Sequence, residues 1–74
     1  MKKFSNEEMK ILSYMTRGYN NTEIGKLLYK SKHTVKAHVS SVLRKSGAKN
    51  RTEAVFLVCQ DKKILNWLIN NFHV

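Results

Sequence analysis

Residues 31–46 read SKHTVKAHVSSVLRKS, and a helix over this stretch would have two chemically different faces. At about 100° per residue, one arc collects mostly apolar side chains: Val35, Val39, Val42, Leu43 and Ser46. The approximately opposite arc carries cations, hydroxyls and one small methyl group: His33, Lys36, Ala37, Ser40 and Arg44. The pattern predicts that the first arc is buried and that the second faces solvent.

The second arc has the mixture of side chains that is needed to read a DNA groove. Cations contact phosphates and guanine edges, hydroxyls contact phosphates or bases, and small methyl groups contact thymine. An ordinary solvated helix face normally carries some Glu or Asp, and this one carries none. The segment therefore favours a DNA-reading helix.

Capping patterns place further helices on both sides of this segment. Ser5, Asn20 and Asn50 are each followed three residues later by Glu, as in a capping box. Ser31 is suited to cap the basic helix itself. Since Pro is absent and the one strand-like run, residues 54–59, has no segment to pair with, we predict an all-α fold.

Glycines mark helix ends and define the central motif. Gly18 and Gly47 follow the first and third helices, where a left-handed residue commonly terminates a helix. A helix of about eight residues, a turn of about three and a longer basic helix form a helix-turn-helix over about residues 20–46. The shorter helix is expected to direct three side chains inward: Ile24, Leu27 and Leu28. Gly25 within it costs about 0.5–1 kcal/mol relative to Ala, which a close approach of the third helix would explain.

Length and charge bound the class of protein. The chain has 74 residues, 42% of them apolar, and a net charge of +9, which fits one small domain over residues 1–74. No acid lies between Glu23 and Glu53, a stretch rich in Lys and Arg. A one-signed stretch of this length indicates a polyanionic partner. A generally lysine-rich protein is the alternative explanation.

The sequence indicates neither catalysis nor a metal or cofactor, so we expect a protein that is not an enzyme. Cys59 has no obvious base and fits a small buried hydrophobe. His33 and His38 lie about 140° apart on their helix and cannot share a metal. The single cysteine fits a reducing compartment, and no apolar run is long enough to span a membrane.

Three ordered blocks, residues 18–25 (GYNNTEIG), 31–39 (SKHTVKAHV) and 47–55 (GAKNRTEAV), resemble the LuxR-type family of bacterial DNA-binding domains, also called NarL- or GerE-like. The resemblance runs from Phe4 to about Leu65. It implies a four-helix domain with the third helix in the major groove of a two-fold operator. It also implies that the fourth helix, about residues 51–61, forms a homodimer.

The resemblance assigns roles to individual positions. Lys36, Ala37 and Ser40 would face the bases. Thr34, His38 and Lys49 would lie near phosphates, with Thr22 a further candidate. We add Lys32, His33 and Arg44 to the DNA-binding set as cationic or polar residues of the basic helix. The dimer interface would comprise Val55, Phe56, Val58, Cys59 and Lys62, because residues 54–59 are apolar all around a helix and a small core covers only one side.

Four positions depart from the family pattern. Glu7 stands where Arg is usual, Gly25 where Ala is usual, and Lys30 replaces an apolar residue before the turn. Ser40 often corresponds to a longer polar or basic residue. A C-terminal appendage, about residues 64–74 with Trp67 and Phe72, either extends helix four or forms a short fifth helix.

The most consistent function is a sequence-specific transcriptional regulator of the bacterial cytoplasm, located at the nucleoid when it is bound to DNA. Its expected partners are double-stranded DNA, a second copy of the chain, and RNA polymerase or another regulator, with no membrane partner. One alternative is a protein-interaction module of the same fold that binds and blocks another regulator, which the apolar tail with Trp67 would favour. Another is an RNA-binding helical bundle, although the sequence offers no aromatic stacking platform. The chain is either a complete regulator or part of a larger one.

Overall fold

A computed structural model of the chain describes residues 3–71, a range that contains five α-helices and no strand. The helices are α1 (Asn6–Thr16), α2 (Asn21–Leu28), α3 (Lys32–Ser46), α4 (Arg51–Gln60) and α5 (Lys62–Asn71). The predicted all-α class is confirmed. In this range, no helix combines the length and the apolar character needed to cross a bilayer.

Two of the helices begin at complete capping boxes, as predicted. Ser5 Oγ accepts from the Glu8 amide at 3.2 Å, and the Glu8 carboxylate accepts from the Ser5 amide at 2.7 Å. Asn20 Oδ1 and the Glu23 amide are 2.9 Å apart, and the return bond from the Asn20 amide to the Glu23 carboxylate is 2.8 Å. Each box satisfies two amides that a helix start leaves without a partner.

The third predicted box, at the start of α4, forms only in half. Asn50 Oδ1 accepts from the Glu53 amide at 2.9 Å, but the Glu53 carboxylate accepts from the Lys49 amide at 2.8 Å instead of from Asn50. Asn50 has φ −155°, more extended than the −73° of Ser5. Glu53 therefore bonds the amide one residue before the cap rather than that of the cap itself.

Residues with left-handed backbone conformation follow each of the first three helices. Gly18 has φ +87° and Gly47 has φ +74°, which agrees with the prediction at both positions. Helix α2 ends at a side-chain-bearing residue, Tyr29, with φ +56°. Tyr29 is 97% exposed, so no packing contact of its ring accounts for this conformation.

The core forms where α3 packs against α1, α2 and α4. From α3 it takes Val35, Val39 and Val42, which are at most 7% exposed, and the other helices contribute Ile11, Leu12, Ile24, Ala54 and Val58. The buried arc predicted for α3 is therefore correct at its centre, while Leu43 and Ser46 are half-buried at its margin. The expectation that Leu27 points inward is wrong: it is 46% exposed, whereas Ile24 is fully buried and Leu28 is half-buried against the core, as expected.

A close backbone approach explains Gly25. A Cβ at this position would lie 2.6 Å from the Lys30 carbonyl oxygen, a distance that side-chain carbons do not tolerate. The Gly25 carbonyl also accepts from the Lys30 amide at 2.8 Å. The neighbour that requires glycine is thus chiefly the turn before α3, rather than the third helix itself.

The chain after α4 forms a separate helix, which settles the two possibilities that the sequence left. Asp61 interrupts the helical backbone, and its carboxylate accepts from the amides of Lys63 at 3.0 Å and Ile64 at 3.2 Å. Leu68 is 7% exposed and belongs to the core that includes Phe4. Phe72, predicted as part of this appendage, lies outside the described residues.

Candidate nucleic-acid interface

The face of α3 that points away from the core is the one predicted to read DNA. Lys36, Ala37 and Ser40 are all exposed, whereas Val35 and Val39 on the other side are 0% and 7% exposed. The valines fix the rotation of α3 about its axis. The helix therefore holds a cation and a methyl group outward at adjacent positions and a hydroxyl outward about one turn later.

The amino end of α3 is exposed and free of acids. Ser31 Oγ accepts from the Thr34 amide at 3.0 Å and lies 2.9 Å from the Thr34 hydroxyl. Lys32, His33 and Thr34 are exposed, and the first turn carries no carboxylate. The positive end of the helix dipole and a lysine thus occur together, an arrangement that attracts phosphate.

The other predicted DNA-binding residues lie on α2, on α3 and in the loop before α4. Thr22 is exposed and shares a hollow with Lys32, so the structure brings these two together. Arg44 is exposed and lies 3.4 Å from Ser41 Oγ. Lys49 is exposed between α3 and α4, whereas His38 is half-buried.

All five carboxylates of the chain are engaged in local structure. Glu7 lies 3.3 Å from Lys30 Nζ, and the hydrogen bond from this lysine holds the pKa of Glu7 below its ordinary value. Glu8 contacts Lys45 at 2.6 Å. The other three accept from backbone amides at helix starts: Glu23, Glu53 and Asp61. None is on α3, so its exposed cations are not neutralised within their own helix.

Glu8 anchors α3 to α1, a role that the sequence did not reveal. Its carboxylate accepts from Ser41 Oγ at 2.5 Å and from Lys45 Nζ at 2.6 Å. Burial alone would raise the pKa of Glu8, but the hydrogen bonds from Lys45, Ser41 and Ser5 outweigh it and lower the pKa to about 2. The carboxylate is thus ionised at neutral pH and joins the two helices.

Arg51 is a second residue whose role was missed. Its guanidinium donates to Asn21 Oδ1 at 2.6 Å and to the Tyr19 carbonyl at 2.5 Å, and burial lowers its pKa. The contacts join the start of α4 to the start of α2. A cation in the first turn of a helix is unfavourable, because this end of the helix dipole is positive. The position of Arg51 was therefore the sequence signal that this side chain has a specific partner elsewhere.

The residues predicted for a dimer interface do not all lie at the surface. Phe56 is 60% exposed, Lys62 is exposed and Val55 is half-buried. Cys59 is also exposed, so the expectation that it is a small buried hydrophobe within this chain is wrong. Val58 is 0% exposed and belongs to the core of the same chain. Its assignment to the interface is therefore wrong, because α4 turns this side chain toward α1 and α3.

The fold and the basic surface together define a helix-turn-helix domain of the class that DNA-binding transcription regulators carry. Residues 2–58 match the bacterial regulatory proteins of the luxR family, and the chain belongs to this family. The resemblance predicted from the three sequence blocks is confirmed.

Individual relatives are regulatory proteins of several bacteria. The chain is 50% identical over 48 residues to the transcriptional regulatory protein DegU of Brevibacillus brevis, an alignment that covers 65% of this chain and 20% of DegU. It is 40% identical over 57 residues to the response regulator protein VraR of Staphylococcus aureus, covering 77% of this chain and 27% of VraR. The matched segment thus spans between a fifth and about a quarter of these longer proteins.

Proposed function

We propose that this chain binds a specific duplex DNA site as a two-fold dimer, with α3 in the major groove, and thereby regulates transcription. The observation that carries the proposal is the exposed face of α3, where Lys36, Ala37 and Ser40 stand opposite buried valines and no carboxylate is present. Lysine binds guanine edges, a hydroxyl can bond a phosphate or a base, and a methyl group packs against the methyl group of thymine. The family to which the chain belongs supports the same function.

The second copy is supported by the surface of α4. Phe56 is 60% exposed on α4, whereas Ala54 and Val58 on the same helix are buried in the core. An exposed aromatic residue beside the half-buried Val55 favours a contact with another chain. A two-fold dimer would bring two reading helices to sites about 34 Å apart, one turn of DNA.

Selection from a random duplex library at physiological salt tests the proposal. The protein is expected to enrich an inverted repeat, and Lys36→Ala is expected to lose the enrichment at one base pair of each half. Lys10→Ala, a change of the same charge on the exposed side of α1, is the matched control and should enrich the wild-type motif. Retention of no duplex at all would support instead the module that binds another regulator through its exposed apolar residues.

A further inference from the structure

The Ser41 hydroxyl of α3 lies between a carboxylate of α1 and an exposed cation of its own helix. It donates to Glu8 Oε2 at 2.5 Å and accepts from Arg44 Nη2 at 3.4 Å. We propose that Ser41 is a positioning residue, which orients the Arg44 guanidinium toward a phosphate at the border of the major groove. The proposal rests on the proposed function and adds to it the means by which one cation of α3 is ordered in the free protein.

Glu8 fixes the direction in which Ser41 donates. The pKa of Glu8 is lowered to about 2, so at neutral pH its carboxylate accepts hydrogen bonds and donates none. A serine hydroxyl has one proton and two lone pairs. Because the proton of Ser41 points to Glu8, only lone pairs remain for Arg44. Donation to an ionised acceptor also polarises the hydroxyl, which makes its oxygen a better acceptor.

Arg44 is oriented by this arrangement without being neutralised. The cation that pairs with Glu8 is Lys45, at 2.6 Å, and Arg44 forms no ion pair within residues 3–71. The bond to Ser41 uses one of the five guanidinium N–H groups, so four donors and the whole charge stay available to a phosphate. A carboxylate in place of the hydroxyl would hold the side chain more firmly, but it would compete with the phosphate.

The position of Arg44 along α3 favours a phosphate over a base edge. Arg44 lies eight residues after Lys36, about 12 Å along the helix axis, and one turn after Ser40 on the exposed face. The major groove is itself about 12 Å wide. With Lys36 at a base in the groove, a side chain this far along α3 reaches the sugar–phosphate backbone at the edge of the groove. The planar fork of an arginine suits a phosphate oxygen pair there.

A double-mutant cycle separates the orientation of Arg44 from general damage to the packing of α3 on α1. A long side chain loses rotamer freedom when it binds, so ordering it in advance increases affinity. Ser41→Ala is therefore expected to weaken binding to the preferred duplex by about threefold, and to have no effect when Arg44→Ala is already present. Damage to the packing alone would weaken binding by the same factor in both backgrounds.

Two further variants of α3 serve as controls. Ser41→Thr keeps the hydroxyl and is expected to bind as the wild type does. Ser46→Ala removes another half-buried hydroxyl, which donates to the Leu43 carbonyl of its own helix at 3.1 Å, and should leave the affinity unchanged. Circular dichroism and urea unfolding establish that each variant is folded under the conditions of the binding assay.

The mobility of the Arg44 side chain in the free protein tests the positioning without DNA. Nitrogen relaxation of the guanidinium Nε reports motion on the picosecond-to-nanosecond scale. Ser41→Ala is expected to increase the motion of Arg44 Nε and to leave that of Arg51 unchanged, because Asn21 and the Tyr19 carbonyl hold Arg51. Equal motion of Arg44 in the wild type and in Ser41→Ala would overturn the proposal.

The binding data separate this proposal from the proposed function. A wild type that binds duplex DNA, with equal losses from Ser41→Ala in both backgrounds and no rescue by Ser41→Thr, would contradict the positioning role alone. A wild type that binds no duplex would contradict the proposed function, and the proposal for Ser41 would fail with it.

Discussion

The Glu8 carboxylate of α1 and the Lys45 ammonium of α3 lie 2.6 Å apart, although 37 residues separate them in the chain. Glu8 is 4% exposed and also accepts from Ser41 and from the Ser5 amide. One carboxylate therefore caps the first helix and attaches it to the helix that is proposed to read DNA. Removing either partner would leave the other without its opposite charge, which is costly for a buried group.

Stability should depend on pH through Glu8. Its pKa is lowered from 4.5 to about 2 in the folded chain, so its contribution is fully present above pH 4.5 and is lost as the pH falls toward 2. The shift corresponds to a contribution on the order of 3 kcal/mol. Glu8→Gln should be less stable at pH 7 and should lose less stability on acidification, as measured by urea unfolding. Glu23→Gln, at an exposed cap, is the control; parallel pH profiles for wild type and Glu8→Gln would contradict the assignment.

Gly25→Ala should destabilise the protein, which is the reverse of the usual effect in a helix. Alanine normally gains about 1 kcal/mol over glycine there, but its Cβ would stand 2.6 Å from the Lys30 carbonyl. We expect a net loss of about 1–3 kcal/mol, measured by thermal or urea unfolding. Lys26→Ala, at an exposed position of the same helix, should change stability by less than about 0.5 kcal/mol. A Gly25→Ala variant as stable as the wild type would mean that the turn lies farther from α2.

Two lysines should differ in what they contribute to DNA binding. Lys36→Ala should cost about 1–3 kcal/mol on the preferred site and relax the preference at one base pair, because Lys36 stands on the exposed face of α3. Lys49→Ala should weaken binding to every sequence similarly and lower the salt slope by about one, since it lies in the loop before α4. Affinities for matched and scrambled duplexes across a salt series provide the comparison. Identical behaviour of the two variants would show that α3 is not the reading element.

Self-association should depend on Phe56. Because the ring is 60% exposed, Phe56→Glu is expected to leave the fold intact and to shift the chain toward monomer in sedimentation experiments across concentration. Gln60→Glu introduces the same charge at an exposed site of α4 and serves as the control. Val58→Glu, in contrast, should unfold the chain because that side chain is fully buried. A wild type that stays monomeric and binds an inverted repeat without cooperativity would contradict the dimer.

The features that the sequence predicted well depend on residues close together in the chain. Caps such as Ser5 and Asn20 act within one turn, and the valines of α3 repeat with the helical period, so both could be recognised without knowledge of the packing. Leu27 was misplaced because the same period cannot tell how wide a stripe a short helix buries. The missed contacts join distant parts of the chain, as between Glu8 and Lys45.

The departures from the family pattern show this limit clearly. Glu7 and Lys30 were each unexpected, and nothing in their spacing of 23 positions related them. In the structure their charged groups lie 3.3 Å apart, so one departure supplies the partner for the other. Lys30 also belongs to the turn that requires Gly25, a third departure. Only the packing of α1 beside the turn reveals that these changes belong together.

The engagement of every carboxylate also bears on how the sequence can vary. In most small proteins charged surface positions are the most freely exchanged, whichever sign they carry. Here the two signs differ. Each acidic side chain holds a helix start or joins α1 to another part of the chain, whereas exposed lysines such as Lys26 and Lys62 form no ion pair or side-chain hydrogen bond within residues 3–71. Random substitution under selection for folding would therefore preserve the acids and let those lysines drift. The charge of this protein can therefore be adjusted at exposed lysines such as Lys26 and Lys62, whereas its acidic side chains are part of the architecture.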